Sequence, residues 1–182
     1  MQPSATLLMD LQHDFLGANG SRMPVDTKGA AAVLGAANAI LAKEVLASAI
    51  PVLVVNQFPA SARIGNSFRN GAAVEGSAGA QLDGRLHNSA GIKVITKSCP
   101  SAFTNPELDA FLRAQGVREI YVLGVFAAGC VCATVRDAAQ HGYKVNVIAD
   151  VVASNARWKK KFALWVMKRA GATLLPSVPN VA

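Results

Sequence analysis

Three side chains that could transfer protons or attack a carbonyl, Asp10, Lys97 and Cys130, each stand at or just beyond the end of an apolar run. Cys130 is the sharpest of them. It follows the small-residue turn Gly124-Val125-Phe126-Ala127-Ala128-Gly129 and opens a helix-like stretch, Cys130-Val131-Cys132-Ala133-Thr134. A thiol at a helix N-terminus meets unpaired backbone N–H groups and the positive end of the helix dipole, which favour thiolate and make the sulfur a nucleophile. The small residues before it let backbone donors approach a substrate oxygen and form an oxyanion hole. Cys132 points elsewhere on the same helix and reads as a small hydrophobe.

Asp10 lies in Leu7-Leu8-Met9-Asp10-Leu11-Gln12-His13-Asp14-Phe15, directly after a strand-like run. Partial desolvation there raises a carboxyl pKa and suits it to move a proton near neutral pH, although the same place also suits a turn cap. Asp14, further into the loop, reads as a structural hydrogen-bonding residue. Lys97 lies in Val94-Ile95-Thr96-Lys97-Ser98-Cys99-Pro100-Ser101-Ala102-Phe103. It would bring an ammonium to the sheet's edge, to steady a thiolate, a carboxylate or the charge on a bound carbonyl. The bland alternative is a surface lysine with its stem on apolar neighbours. Phe103 either floors a pocket or packs the following helix, and Phe15 and Gln12 are the other candidate pocket residues.

The elements that must position these groups alternate along the chain. Apolar runs predict strands at 5–9, 51–55, 92–96, 119–124, 144–149 and 172–175, with helices over 27–48, from Pro106, over 130–140 and over 158–170. Such alternation predicts an α/β fold, a three-layer αβα, Rossmann-like arrangement around a largely parallel six-stranded sheet, in a single domain spanning 1–182. Residues 56–88 fit no repeating unit and read as a long loop with one short helix, of the kind that carries function. In a doubly wound sheet, ligands gather at the carboxyl ends of the strands, where Asp10, Lys97 and Cys130 all fall.

Composition narrows the function classes. Three cysteines, an odd number without a disulfide framework, point to a reducing cytoplasm, and no secretory leader pattern is expected at Met-Gln-Pro-Ser. The uncharged stretch 120–135 is broken by two glycines and is shorter than the ~18–20 apolar residues of a membrane span, so no membrane is expected as a partner. The net charge of +7 is concentrated only at Arg157-Trp158-Lys159-Lys160-Lys161, with Lys168 and Arg169 nearby, and reads as a solvated helix face. Without a reading helix or zinc finger, no nucleic-acid partner is expected. His13, His87 and His141 are widely separated and Cys130-Val131-Cys132 lacks a second ligand pair, so no metal is expected. No phosphate loop, dinucleotide glycine motif or serine elbow appears, so no cofactor is expected either.

Four segments in order, Met9 to Phe15, Gly76-Ser77-Ala78-Gly79-Ala80-Gln81-Leu82, Lys97 to Phe103 and Gly124 to Thr134, together resemble the isochorismatase-like cysteine hydrolase family. The resemblance implies that Asp10, Lys97 and Cys130 are the catalytic residues, that Val125-Phe126 is a cis peptide, and that the N–H groups of Phe126 and Cys130 form the oxyanion hole. It also implies a homo-oligomer. Nicotinamidases of that family carry an Asp-x-His metal segment after the second strand, where this chain has Asn56-Gln57-Phe58. True isochorismatases cleave a vinyl ether without the cysteine. The expectation is therefore a metal-independent cysteine hydrolase acting on a small-molecule amide or related C–N bond through a thioester. The alternatives are ether hydrolysis of the isochorismatase type and a catalytically degenerate binding subunit.

Overall fold

Runs such as Val52-Leu53-Val54-Val55 and Val145-Asn146-Val147-Ile148 are almost continuously apolar because the strands they form are covered on both faces. The computed structural model describes residues 3–17 and 20–179; the ends of the domain expected over 1–182 lie outside them. Six strands, β1 (Ser4–Met9), β2 (Ile50–Asn56), β3 (Lys93–Lys97), β4 (Glu119–Val125), β5 (Lys144–Ala153) and β6 (Thr173–Leu175), form one sheet. Its order is β3-β2-β1-β4-β5-β6 and every pairing is parallel. The order reverses between β1 and β4, which opens a crevice at their carboxyl ends.

Alternation along the strands divides the core into two layers. Leu7, Met9, Val52, Val54 and Val122 face one side, where α3 (Pro106–Ala114), α4 (Cys132–Gln140) and α5 (Arg157–Arg169) contribute Leu108, Leu112, Val135 and Met167. Leu8, Leu53 and Leu123 face the other, covered by Val33, Leu34, Ala37 and Ile40 of α1 (Thr27–Leu41). The long segment 56–88 completes that second layer with Phe58, Ala72, Ala73 and Leu86. It contains the short helix α2 (Arg63–Phe68) and a single 3₁₀ turn at Ala78–Ala80.

Three boundaries differ from the sequence reading by more than one residue. The helix expected over 27–48 stops at Leu41, and Lys43 and Leu46 then take left-handed φ values of 59° and 49°. Leu46 is buried, so tertiary packing ends a stretch whose alanine-rich composition would continue the helix. The strand expected at 144–149 runs on to Ala153, across an irregularity in its pairing with β4 between Val122 and Gly124. The helix expected from Cys130 begins at Cys132, after a wide five-residue turn, Ala127–Val131.

Gly124 is required where it stands. Its φ is +121°, and a Cβ there would lie 2.2 Å from the Met9 carbonyl oxygen. Close approach of β4 to β1 at the crevice therefore depends on a missing side chain.

Candidate active site

Adjacent strands place a row of polar side chains along the carboxyl edge of the sheet. Lys97 ends β3, Asn56 ends β2 and is its register partner, and Asp10 follows β1. Lys97 shares the inward phase of Ile95, two residues earlier, so its side chain enters the core side instead of solvent. Asp10 has a left-handed φ of 55°, and its N–H is held by the Val54 carbonyl at 2.8 Å. That is an unfavoured conformation for a non-glycine residue, maintained by the sheet around it. All three side chains are essentially hidden from solvent.

Lys97 Nζ donates to Asp10 Oδ2 at 3.1 Å and to Asn56 Oδ1 at 2.7 Å. Because an ammonium can only donate, the Asn56 amide must present its oxygen to Lys97 and its NH₂ elsewhere. That NH₂ points at Cys130, with Nδ2 3.7 Å from Sγ. Gln12 fixes Asn56 from behind. Its Nε2 donates to the carbonyls of Asn56 and Ala80, both at 2.7 Å, and its Oε1 accepts the Asn56 N–H at 2.7 Å.

Cys130 reaches this cluster from β4 through a reversal of the main chain. The Val125–Phe126 peptide is cis, and the Phe126 carbonyl accepts the N–H groups of Gly129 at 2.9 Å and Val131 at 3.2 Å. Gly129 has φ −122° and ψ −108°, outside the helical region, so the turn is a distinct element before α4.

The electrostatics run against the thiolate that a helix N-terminus favours. Burial, followed by the negative charge of Asp10, pushes the Cys130 thiol up to about 12; Lys97 and Asn56 only partly oppose them. Burial likewise raises Asp10, against the pull of Lys97. Desolvation outweighs whatever a helix terminus contributes, because the sulfur lies before the helix among buried groups. Asp10 Oδ1 has no hydrogen-bond partner with normal geometry, although the thiol and the carboxyl shift each other's proton affinity. Such an arrangement favours the protonated thiol, with a carboxyl group close beside it.

The candidate pocket residues separate in the structure. Phe15 is buried and meets the partly buried Phe126 edge to face, with ring centroids 5.5 Å apart. Gln12 is fully buried, and its amide is spent on backbone groups, so it braces Asn56 and is not open to a ligand. Phe103 packs against His141 and Tyr143, past the opposite end of α4 from Cys130. Its ring contacts are thus with residues that follow α4. Asp14 accepts the N–H groups of Arg22 and Ala73 and anchors the loop. Sequence reasoning missed Asn56 as a member of the cluster; the available signal was an amide side chain ending a strand of valines.

Among the described residues, no group of three or more His, Cys, Asp or Glu side chains could hold a metal ion. At the position of interest, Asn56 is a neutral amide already bonded to Lys97 and Cys130, and Phe58 is an apolar core residue. This donor set does not fit a divalent ion of the imidazole and carboxylate type.

The isochorismatase domain model matches residues 4–177. The chain belongs to the isochorismatase family. Nicotinamidase of Escherichia coli strain K12 is 39% identical over 89 residues, which is 42% of each chain. The structure of PnC1 from L. infantum in complex with nicotinate superposes with a TM-score of 0.82 at 28% identity, covering 96% of this chain and 92% of that one. Pyrazinamidase of Pyrococcus horikoshii in complex with zinc gives a TM-score of 0.82 at 26% identity, covering 94% and 98%. The chain spans 34% and 56% of the length of the curated relatives it matches first. Amidohydrolases recur among the family relatives, and one relative from Arabidopsis thaliana is described as a probable inactive nicotinamidase. An isochorismatase-like hydrolase from Alkaliphilus metalliredigens shares this α/β fold, with a TM-score of 0.84 at 21% identity.

Proposed function

We propose that this chain is a metal-independent cysteine hydrolase that cleaves a small amide or related C–N bond through a thioester. One observation supports the reading above all: a buried Asp10–Lys97 pair beside Cys130, with the Asn56 NH₂ directed at the sulfur. As the Cys130 sulfur attacks the carbonyl carbon, its proton passes to Asp10. The negative charge that develops on the carbonyl oxygen is met by the N–H groups of Phe126 and Cys130, while Lys97 balances the ionised carboxylate. Collapse breaks the C–N bond, Asp10 returns the proton to the departing nitrogen, and an acyl-thioester remains. Water then attacks the thioester, giving its proton to Asp10 and from there back to sulfur.

Phe126, partly buried and backed by Phe15, offers an apolar surface four residues before Cys130, which suits a small planar group. A reducing compartment, which keeps the thiol intact, and assembly into a homo-oligomer belong to the same reading. A screen of small amides with detection of released ammonia tests it. Turnover of at least one amide, lost in Cys130→Ala and unchanged after exhaustive EDTA treatment, is expected. Amide turnover retained by Cys130→Ala would reject the cysteine mechanism, turnover of a vinyl ether but of no amide would move the chain to ether hydrolysis, and activity lost to EDTA and restored by metal would reject the metal-free mechanism.

A further inference from the structure

Helix α5 buries Ala163 and Met167 against the sheet and turns a different surface outward. Trp158, Phe162 and Trp165, spaced to lie along one stripe, are 69%, 59% and 56% exposed. The rings of Phe162 and Trp165 are stacked with centroids 5.8 Å apart, the Arg169 guanidinium sits 5.2 Å from the Trp165 ring centre, and Lys159 lies 5.8 Å from that of Trp158. Six of the helix's thirteen residues are cations, Arg157, Lys159, Lys160, Lys161, Lys168 and Arg169, and none is acidic. None of the six forms a salt bridge with a described carboxylate, although Arg157, Lys160 and Lys161 line a second cleft with Asp26 and Asp150, and Lys160 turns there, away from the stripe. Beside Trp165 a cleft of about 610 Å³ between α4 and α5 is lined by Arg136 and Arg169, with no acidic side chain.

A face that exposes three large aromatic rings needs a partner that accepts apolar groups, and a face with this charge needs a negative one. A second copy meeting it through the same helix would set the cations flanking the stripe, Lys159, Lys161, Lys168 and Arg169, against their like, so isologous self-association is disfavoured. We infer that this face of α5 docks on an anionic lipid surface, with the aromatic stripe entering the headgroup boundary and the cleft of Arg136 and Arg169 taking a phosphate headgroup. Aromatic rings interleaved with cations on the outward side of a surface helix are the composition that lies in a membrane interface. The apolar-run criterion that excluded a membrane partner from the sequence tests for a spanning helix and is silent on one that lies flat. No helix among the described residues is long and apolar enough to cross a membrane, which agrees with a peripheral attachment.

The chain supplies its own probe, because Trp158 and Trp165 are its only two tryptophans. Intrinsic fluorescence and co-sedimentation are measured with phosphatidylcholine vesicles, with and without roughly a third phosphatidylglycerol. A blue shift and sedimentation with the anionic vesicles alone, reversed by salt, are expected. Lys161→Gln and Lys168→Gln should each weaken partitioning about fivefold, and Phe162→Ala about tenfold, with circular dichroism and thermal midpoint unchanged. Equal binding to both vesicle types, no binding to either, or unaltered binding of the Phe162→Ala variant would overturn the inference. So would a blue shift produced by protein concentration alone, which would assign the face to a second copy, or displacement from vesicles by a short single-stranded oligonucleotide, which would assign it to nucleic acid.

Discussion

Asp10 and Asp14 lie four residues apart and are both buried, at 0% and 1% exposure, yet different kinds of donor hold their carboxylates. Asp14 receives two main-chain N–H groups, from Arg22 at 3.2 Å and Ala73 at 2.9 Å, and its own N–H and carbonyl bond to Gly79 and Met23. Backbone donors cannot withdraw without moving the chain, so this carboxylate is an anchor between loops. Asp10 has one side-chain ammonium on Oδ2 and leaves Oδ1 without a partner beside a thiol. Burial alone does not separate a structural acid from a reactive one. What separates them is whether the charge is fully satisfied by fixed groups or left with an open oxygen next to a group that can give it a proton.

The largest effect expected from breaking this contrast is in Asp10→Asn. Loss of the proposed proton acceptor should lower turnover of any amide substrate by about 10²- to 10⁴-fold. The same change should make the resting thiol more reactive, because the Asp10 charge is one of the causes holding Cys130 up, whereas Lys97 and Asn56 remain to favour the thiolate. Iodoacetamide rates at Cys130, measured against pH by peptide mapping, should shift toward lower pH as activity disappears. Slower alkylation of the variant across the whole pH range would show that Asp10 is not coupled to this sulfur.

The anchor end is broken at Gly79. A Cβ built there would lie 1.9 Å from Asp14 Oδ2, and this carboxylate has no freedom to retreat. Gly79→Ala should therefore cost about 2–3 kcal/mol of unfolding free energy through overpacking and lost hydrogen bonds. Urea unfolding measures it directly. A wild-type midpoint for this variant would mean that the loop 56–88 is held by its apolar contacts and not by Asp14.

The sheet was readable from the sequence because buried parallel strands leave continuous apolar runs, and the glycine-to-cysteine turn was readable because small residues cluster there for a local reason. Asn56 and Gln12 were not readable in their actual roles. Asn56 gains its part only when β2 is laid between β1 and β3, and Gln12 only when the segment around Ala80 folds back over it. Phe103 was left between two roles because its direction depends on α4 and on residues 141 and 143. The proton affinity of the Cys130 sulfur is hidden from the sequence for a related reason. A helix terminus is a local feature, but desolvation and the Asp10 charge come from elements far away in sequence.

Asn56→Asp sharpens the reactive side of the comparison by a smaller step. It adds a second carboxylate beside the thiol and removes the NH₂ that now points at the sulfur. Both changes disfavour the thiolate, so the alkylation profile of Cys130 should move to higher pH by about one unit, with the fold retained. A profile that stays in place would mean that the 3.7 Å contact carries no electrostatic weight.

The smallest effect belongs to a third carboxylate, Asp83, which stands between the two cases. It is buried like Asp10 and Asp14, but its donors are the main-chain N–H, Nε and Nη2 of the single half-exposed residue Arg85, at 3.0, 2.8 and 2.8 Å. Arg85 also reaches the Leu16 carbonyl at 3.0 Å, so the pair ties the long loop to the segment after β1. These hydrogen bonds hold the Asp83 carboxyl below its ordinary value of 3.8. A depressed carboxyl contributes stability above its unfolded pKa and loses that contribution as pH falls through the lower folded value. Because Arg85 is screened by solvent, Asp83→Asn should cost only about 1 kcal/mol at neutral pH. The difference from wild type should then shrink below about pH 4, as both chains carry an uncharged group at this position. Urea unfolding of the two proteins across that range checks the sign. A gap that stays constant into acid would show that the shape of the side chain, and not its charge, holds the loop.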